Sequence, residues 1–290
     1  MDKYRKIDLS DWDLYRERSN SINYISKDGE KLLKCVPLNK EEKLDEYIEE
    51  LNMYNKLNSL GMHTPAVYEI VDVGNSRHGI IYQFIKEKNS ISRAVSYEPD
   101  KVEEYVSRYV TITKKMHSTT VPNNLLPRVE DRAIEVINKL GDKFLNNMQK
   151  SILLDFINSR ERKDTLLHID AHYGNVITTP NNDTYMIDTA MCAKGDPYYD
   201  IGFLYVFTLL SPEDATFGLF HVDQVKLKEM WQAYVKMYFN ISTEEEIHNI
   251  EKKIKPYGLV AFINHALFLH TVEYQKYIVD HHFDYLFDLK

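Results

Sequence analysis

The chain has only two cysteines in 290 residues, Cys35 and Cys192. Their separation fits neither a metal-ligand motif nor a disulfide framework, which points to a reducing compartment. The N-terminal MDKYRKIDLSDWDLY has no apolar core, so it does not read as a secretory signal. The longest apolar run, Ile201 to Leu210, is too short to cross a bilayer. These absences lead us to expect a cytoplasmic protein with no membrane partner. Long basic clusters are missing too. Lys and Arg number 36 against 44 Asp and Glu, a net charge of −8, so the electrostatic footprint of a nucleic-acid binder is absent. An acidic surface suits a cationic ligand, and it equally keeps a protein in solution. Internal repeats and low-complexity tracts are lacking. What remains is ordinary globular composition, 43% hydrophobic and 28% charged, with length for one large domain or two modest ones.

The pattern changes along the chain. Residues 20–36 alternate on both sides of Asp28-Gly29, a hairpin signal. Residues 40–60 carry Leu44, Tyr47, Ile48, Leu51, Tyr54 and Leu57 at helical spacing, with Gly61 placed as a C-cap. AVYEIVDVG and HGIIYQFI read as strands around Gly74, Asn75 and Ser76. Beyond Lys88, helical periodicity marks 100–117, 130–158, 224–239 and the stretch from about 256 onward. Strand candidates in this half are 165–169, 175–178 and 184–188. A strand-rich first third and a helix-rich remainder predict a two-lobed α+β architecture.

The stretch LLHIDAHYGN places His168, Asp170 and Asn175 at the spacing of the kinase catalytic loop. There the Asp receives the proton of an acceptor hydroxyl and the Asn holds magnesium. A strand-like run from Thr184 then ends at Asp188. Magnesium takes oxygen ligands, one or two from protein and the rest from phosphates and water. Asn175 and Asp188 are therefore the candidate metal ligands, and Asp170 is the candidate catalytic residue. The same chemistry demands a strand lysine tied to a helical glutamate, to hold the nucleotide's α- and β-phosphates. Lys34 lies in the run directly after the hairpin, and the next helix offers Glu46, Glu49 and Glu50.

Together, LLHIDAHYGNVI and MIDTAMCAKGDPYYDIG resemble the aminoglycoside phosphotransferase and choline kinase superfamily. Its signature joins a His-Gly-Asp-x-x-x-x-Asn loop, an Ile-Asp strand end and a Gly-Asp-Pro-x-x-Asp segment. EELNMYNKLNSLGMHTPAVYEI resembles that family's first-lobe helix and following strand, and YVTITKKMHS its helix ending in a Leu-His or similar pair. The resemblance spans roughly residues 15–210. It implies a protein-kinase-like fold, with residues 1–87 as a β-rich nucleotide-binding lobe and 88–290 as a helical catalytic and acceptor-binding lobe. It further implies ATP or GTP as co-substrate with Mg2+, Asp170 as base, and Asn175 with Asp188 on the metal. Lys34 would contact phosphate with Glu50 as its partner, and the backbone of Gln83, Phe84 and Ile85 would meet the adenine. Asp196 and Asp200 would cap a helix and brace the catalytic loop, as would His168. In the C-terminal helices Glu273, Asp280 and Asp284 would meet an amine, and Tyr274 and Tyr277 would stack on it.

The chain departs from the family pattern in two places. Ile169 replaces the glycine after His168, which is tolerable if its side chain enters the core. The phosphate-covering segment RERSNSINYI has no glycine, so Ser19, Asn20 and Ser21 would supply hydroxyl, amide and backbone bonds instead; ATP against GTP is left open. We expect Cys192 to be a small apolar filler. We expect packing or solvent exposure, not metal binding, for His265, His270, His281 and His282. The acceptor is a small-molecule hydroxyl: aminoglycoside-like, a cationic amino alcohol such as choline or ethanolamine, or a sugar or amino-acid alcohol. The protein is expected to be a monomer or a homodimer, and the competing reading is a catalytically silent nucleotide-binding module on the same fold. A protein kinase is disfavoured, because Asp188 and the Gly-Asp-Pro segment stand too close for a long activation loop.

Overall fold

The computed structural model describes residues 3–17, 21–37, 44–269 and 272–289. Two units result: Met1–Lys88 with Thr179–Ala190, and Asn89–Thr178 with Met191–Lys290. The first is built on a sheet of six strands, β1 (Arg5–Lys6), β2 (Trp12–Glu17), β3 (Ile22–Ser26), β4 (Lys31–Cys35), β5 (Val67–Gly74) and β6 (Arg77–Gln83). Their spatial order is β1-β5-β6-β4-β3-β2. Asp28 and Gly29 turn the chain between β3 and β4: the Asp28 carboxylate accepts the Glu30 N–H at 3.0 Å, and Gly29 adopts φ +70°. Gly74, Asn75 and Ser76 make the β5–β6 turn, all at positive φ.

Helix α1 (Leu44–Ser59) ends at Gly61, whose φ of +72° suits a residue without Cβ. It buries Tyr47 and Tyr54 against Ile70, Ile80 and Tyr82 on one face of the sheet. Leu33, Cys35, Val71 and Ile81 fill the other face, covered by Trp12 and Tyr24. Successive β4 side chains alternate between the faces. Leu33 and Cys35 point away from α1, so Leu32 and Lys34 point toward it.

Residues 179–190 return to this unit instead of staying with their chain neighbours. Their short strand Thr184–Met186 is tied to His63: the His63 Nδ1–H donates to the Thr184 carbonyl at 2.6 Å, and the Met186 N–H donates to the His63 carbonyl at 2.9 Å. The rings of His63 and Tyr185 add a contact at 4.2 Å between centroids. A partition made at the single point of residue 87 does not contain this return.

The second unit opens with β7 (Asn89–Ser90), α2 (Ile91–Tyr97) and α3 (Val102–His117). The helical pattern over 130–158 proves to be two helices, α4 (Val129–Leu140) and α5 (Asn147–Asn158). The break follows Gly141, and Asn146 with Gln149 forms a capping box that starts α5. Next come β8 (Thr165–Leu167) and β9 (Val176–Thr178); β10 is the Thr184–Met186 strand of the first unit. β11 (Ala193–Gly195) pairs antiparallel with β8, and β9 with β7. The remainder is helical: α6 (Tyr198–Leu209), α7 (Glu213–Phe220), α8 (Gln224–Phe239), α9 (Glu244–Asn264), α10 (Ala266–Leu269) and α11 (Glu273–Leu286).

Tyr109, Tyr173, Tyr199, Phe203, Phe220, Trp231 and Tyr234 are fully buried in this core. α6 and α9 cross at Gly202 and Gly258, where a Cβ on either residue would meet the other's backbone at 2.5 Å or less. Among the described residues no helix is long and apolar enough to cross a membrane.

Candidate active site

Lys34 and α1 form the first group of candidate side chains. The Lys34 ammonium donates to both carboxylate oxygens of Glu50, at 3.1 and 3.2 Å. Burial by itself favours the neutral amine. The charges of Glu50 and then Asp188 outweigh it and raise the pKa above the ordinary lysine value. Glu46, one turn before Glu50, adds to the same field, whereas Glu49 points to solvent. Asp188 follows β10 with φ +55°.

The expected adenine-binding segment is partly committed already. The Gln83 N–H donates to the Ala66 carbonyl at 2.7 Å, and the Phe84 N–H to the Glu30 carbonyl at 2.9 Å. Among the described residues the Ile85 N–H has no backbone acceptor, so it is the segment's candidate donor. Ser21 lies half-buried just before β3. Ser19 and Asn20 lie outside the described residues.

The loop between β8 and β9 carries the second group. The Asn175 side-chain amide donates to the Asp170 carbonyl at 3.0 Å and to Asp170 Oδ2 at 2.8 Å. Both donors of Asn175 thus fix Asp170, and its Oδ1 keeps the lone pairs. Asp170 Oδ1 faces two imidazoles, His172 Nε2 at 3.5 Å and His265 Nε2 at 3.8 Å. The tautomer of His172 follows from its neighbours. The Gly174 N–H donates to Nδ1 at 3.0 Å, which leaves the proton on Nε2, directed at the carboxylate. Burial, with His168 and His265 nearby, pushes the His172 pKa down to about 3, so the ring stays neutral.

Asp200, at the start of α6, braces this loop from below. Its carboxylate accepts the backbone N–H of His168 at 2.8 Å and of Ile169 at 2.7 Å. His117 Nε2–H donates to the same carboxylate at 3.1 Å, while its Nδ1 accepts the Tyr238 hydroxyl at 2.8 Å. A buried chain of donors therefore runs from α8 through α3 to the loop. Asp196 lies just before α6, accepts the Tyr198 N–H at 3.0 Å and pairs with Lys163 at 2.6 Å. Burial raises the Cys192 pKa well above the thiol range, consistent with a packing role.

His265 differs from the expectation of mere packing, because it contacts the loop directly. His117 carried only a family likeness and no role. A lone histidine on an apolar helix has no spacing to single it out, and only the tertiary fold joins either one to Asp170 or Asp200. Two of the other C-terminal candidates, Asp280 and Tyr277, pair along their own helix. Asp280 bonds Lys276 at 2.8 Å and the Tyr277 ring stacks on His281 at 4.4 Å, while Tyr274 is exposed. His270 lies outside the described residues.

The model of the APH phosphotransferase enzyme family matches residues 16–224. This chain belongs to that family. It is a phosphotransferase, and solved structures share its fold. The aminoglycoside phosphotransferase APH(4)-Ia aligns with a TM-score of 0.64 at 12% identity, over 96% of this chain and 93% of that one. The ethanolamine kinase of Plasmodium vivax aligns with a TM-score of 0.59 at 15% identity, over 93% and 80%. The ternary complex of APH(2")-IIa with streptomycin and ATP aligns with a TM-score of 0.53 at 16% identity, over 88% and 84%. No curated protein sequence matches.

Proposed function

We propose that this phosphotransferase moves the γ-phosphate of ATP or GTP to a hydroxyl group of a small molecule. The acceptor class is an amino alcohol or an aminoglycoside, the two kinds of molecule named for the structures of similar fold. The observation that carries the reading is the fixed Asp170 carboxylate. Asn175 holds one of its oxygens, and the second faces the neutral His172 imidazole at 3.5 Å. An oriented carboxylate beside a hydroxyl is what proton removal during in-line displacement needs.

In this reading the acceptor oxygen forms its bond to the γ-phosphorus while its proton passes to Asp170. The bond between the γ-phosphorus and the β–γ bridging oxygen breaks, and the nucleoside diphosphate departs. Lys34, held by Glu50, neutralises charge on the nucleotide's phosphates. Asn175 Oδ1 and the Asp188 carboxylate are oxygen donors, the chemistry a magnesium ion accepts. Among the described residues no group of three or more His, Cys, Asp and Glu forms a metal cluster, so most ligands would come from phosphates and water. A bound magnesium would supply charge neutralisation at the transferring phosphoryl group.

The test is a phosphorylation screen of amino alcohols, aminoglycosides and sugars with ATP and with GTP. Asp170→Ala should lose at least about 10²-fold in kcat while nucleotide affinity persists. Undiminished turnover by Asp170→Ala would exclude this mechanism. No turnover with any acceptor, and nucleotide binding alone, would favour the silent module.

A further inference from the structure

Ile169 stands immediately before Asp170 with φ +68°. A β-branched residue is strained there, because its Cβ crowds the adjoining backbone. Its side chain is fully buried, so it cannot relax toward solvent. Two groups grip the residue. Asp200, at the start of α6, accepts the Ile169 N–H at 2.7 Å. His265, at the end of α9, reaches the Ile169 carbonyl through Nε2 at 3.0 Å. A carbonyl only accepts, so the imidazole proton is on Nε2.

The His265 ring is also fixed in direction. It lies flat on Phe203 of α6, with centroids 4.6 Å apart and planes within 5°. The peptide it holds is the one that leads into Asp170, and the same Nε2 lies 3.8 Å from Asp170 Oδ1.

We propose that His265 is a positioning residue for Asp170. By gripping the Ile169 carbonyl it keeps a strained isoleucine in the left-handed conformation, and so keeps the catalytic carboxylate aimed. Glycine adopts positive φ without steric cost and would not need this hold. Ile169 and His265 therefore work as a coupled pair. Burial keeps the imidazole neutral, its pKa pushed down to about 4, so the grip is unaltered around neutral pH. The proposal rests on the reading of Asp170 as the base.

The experiment compares the full-length chain with His265→Ala, with Ile169→Gly and with both. With an acceptor that is turned over, His265→Ala should lower kcat about tenfold and leave the nucleotide KM within about twofold. In the Ile169→Gly background the same change should cost less than about twofold. Hydrogen exchange of the peptide 166–175, followed by mass spectrometry, should rise in His265→Ala and return toward the wild-type rate when Ile169→Gly is added. Equal effects of His265→Ala in both backgrounds, or none in either, would overturn the pairing. If His265→Ala does not fold, recovery of folding in the double variant supports the proposal and continued failure refutes it. Should the wild type phosphorylate nothing, the functional reading fails, and the exchange comparison alone decides the role of His265.

Discussion

At Lys34 two opposing effects meet. Burial favours the neutral amine, and the carboxylates of Glu50, Asp188 and Glu46 favour the ammonium; the carboxylates prevail. The charge is thereby kept on a stem that the sheet and α1 hold still. Lys34→Met should reduce kcat/KM on the order of 10²-fold, as loss of one fixed charge-stabilising donor commonly does. Glu50→Gln removes only the anchor and should cost about tenfold, mostly as a higher nucleotide KM. Steady-state kinetics with varied nucleotide separates the two, and an unchanged KM in both variants would refute a role at the phosphates. The lysine was legible in the sequence because hairpin, strand and acidic helix followed one another as the chemistry requires. The choice among Glu46, Glu49 and Glu50 was not, since only the helix phase decides it. Glu46 and Glu50 share a stripe one turn apart, and Glu49 faces water. Ile169 was read as a core residue, and it is buried; its positive φ leaves no mark in a sequence.

Among the elements, α6 and α9 hold the loop between them. Asp200 begins α6 and His265 caps α9, so the distance between these helices sets the two grips on Ile169. That distance depends on Gly202 and Gly258. A Cβ on Gly258 would lie 2.3 Å from the Gly202 carbonyl oxygen, which is backbone and cannot swing aside. Gly258→Ala gains about 1 kcal/mol of helix propensity. Overpacking at such a crossing costs about 1–3 kcal/mol, and a contact this short belongs at the upper end. The net expectation is a loss of about 2 kcal/mol in denaturant unfolding, with kcat falling more than nucleotide affinity. An alanine variant as stable as wild type would show that the helices can separate without cost. These helices were only partly readable. α6 is buried nearly all round and so has no amphipathic period, only an apolar run. β2 is exposed along most of its length and shows no alternation in burial, so its strand signal is weak as well.

For the molecule as a whole, one buried carboxyl stands apart from the network around Asp200. Glu130, the second residue of α4, is fully buried, and neither of its oxygens has a hydrogen-bond partner among the described residues. The neighbouring Tyr199 hydroxyl is buried and equally unbonded. Its own backbone N–H and the charges of Arg128 and Arg162 favour the carboxylate, and Asp131 opposes it. Burial is the largest influence and raises the pKa above the ordinary glutamate value. The native state therefore holds its proton to a higher pH than the unfolded chain does. The stability linked to this group is fully present below the ordinary glutamate pKa of 4.5 and is lost as pH rises through the raised native value. Glu130→Gln keeps the shape and removes the titration. It should leave stability unchanged near pH 4 and raise it by on the order of 1 kcal/mol at pH 7, flattening the pH profile in between. Thermal unfolding of both proteins across that range measures the difference. A variant less stable than wild type at pH 7 would mean that the carboxylate is charged and held by a partner, reversing the sign of the linkage.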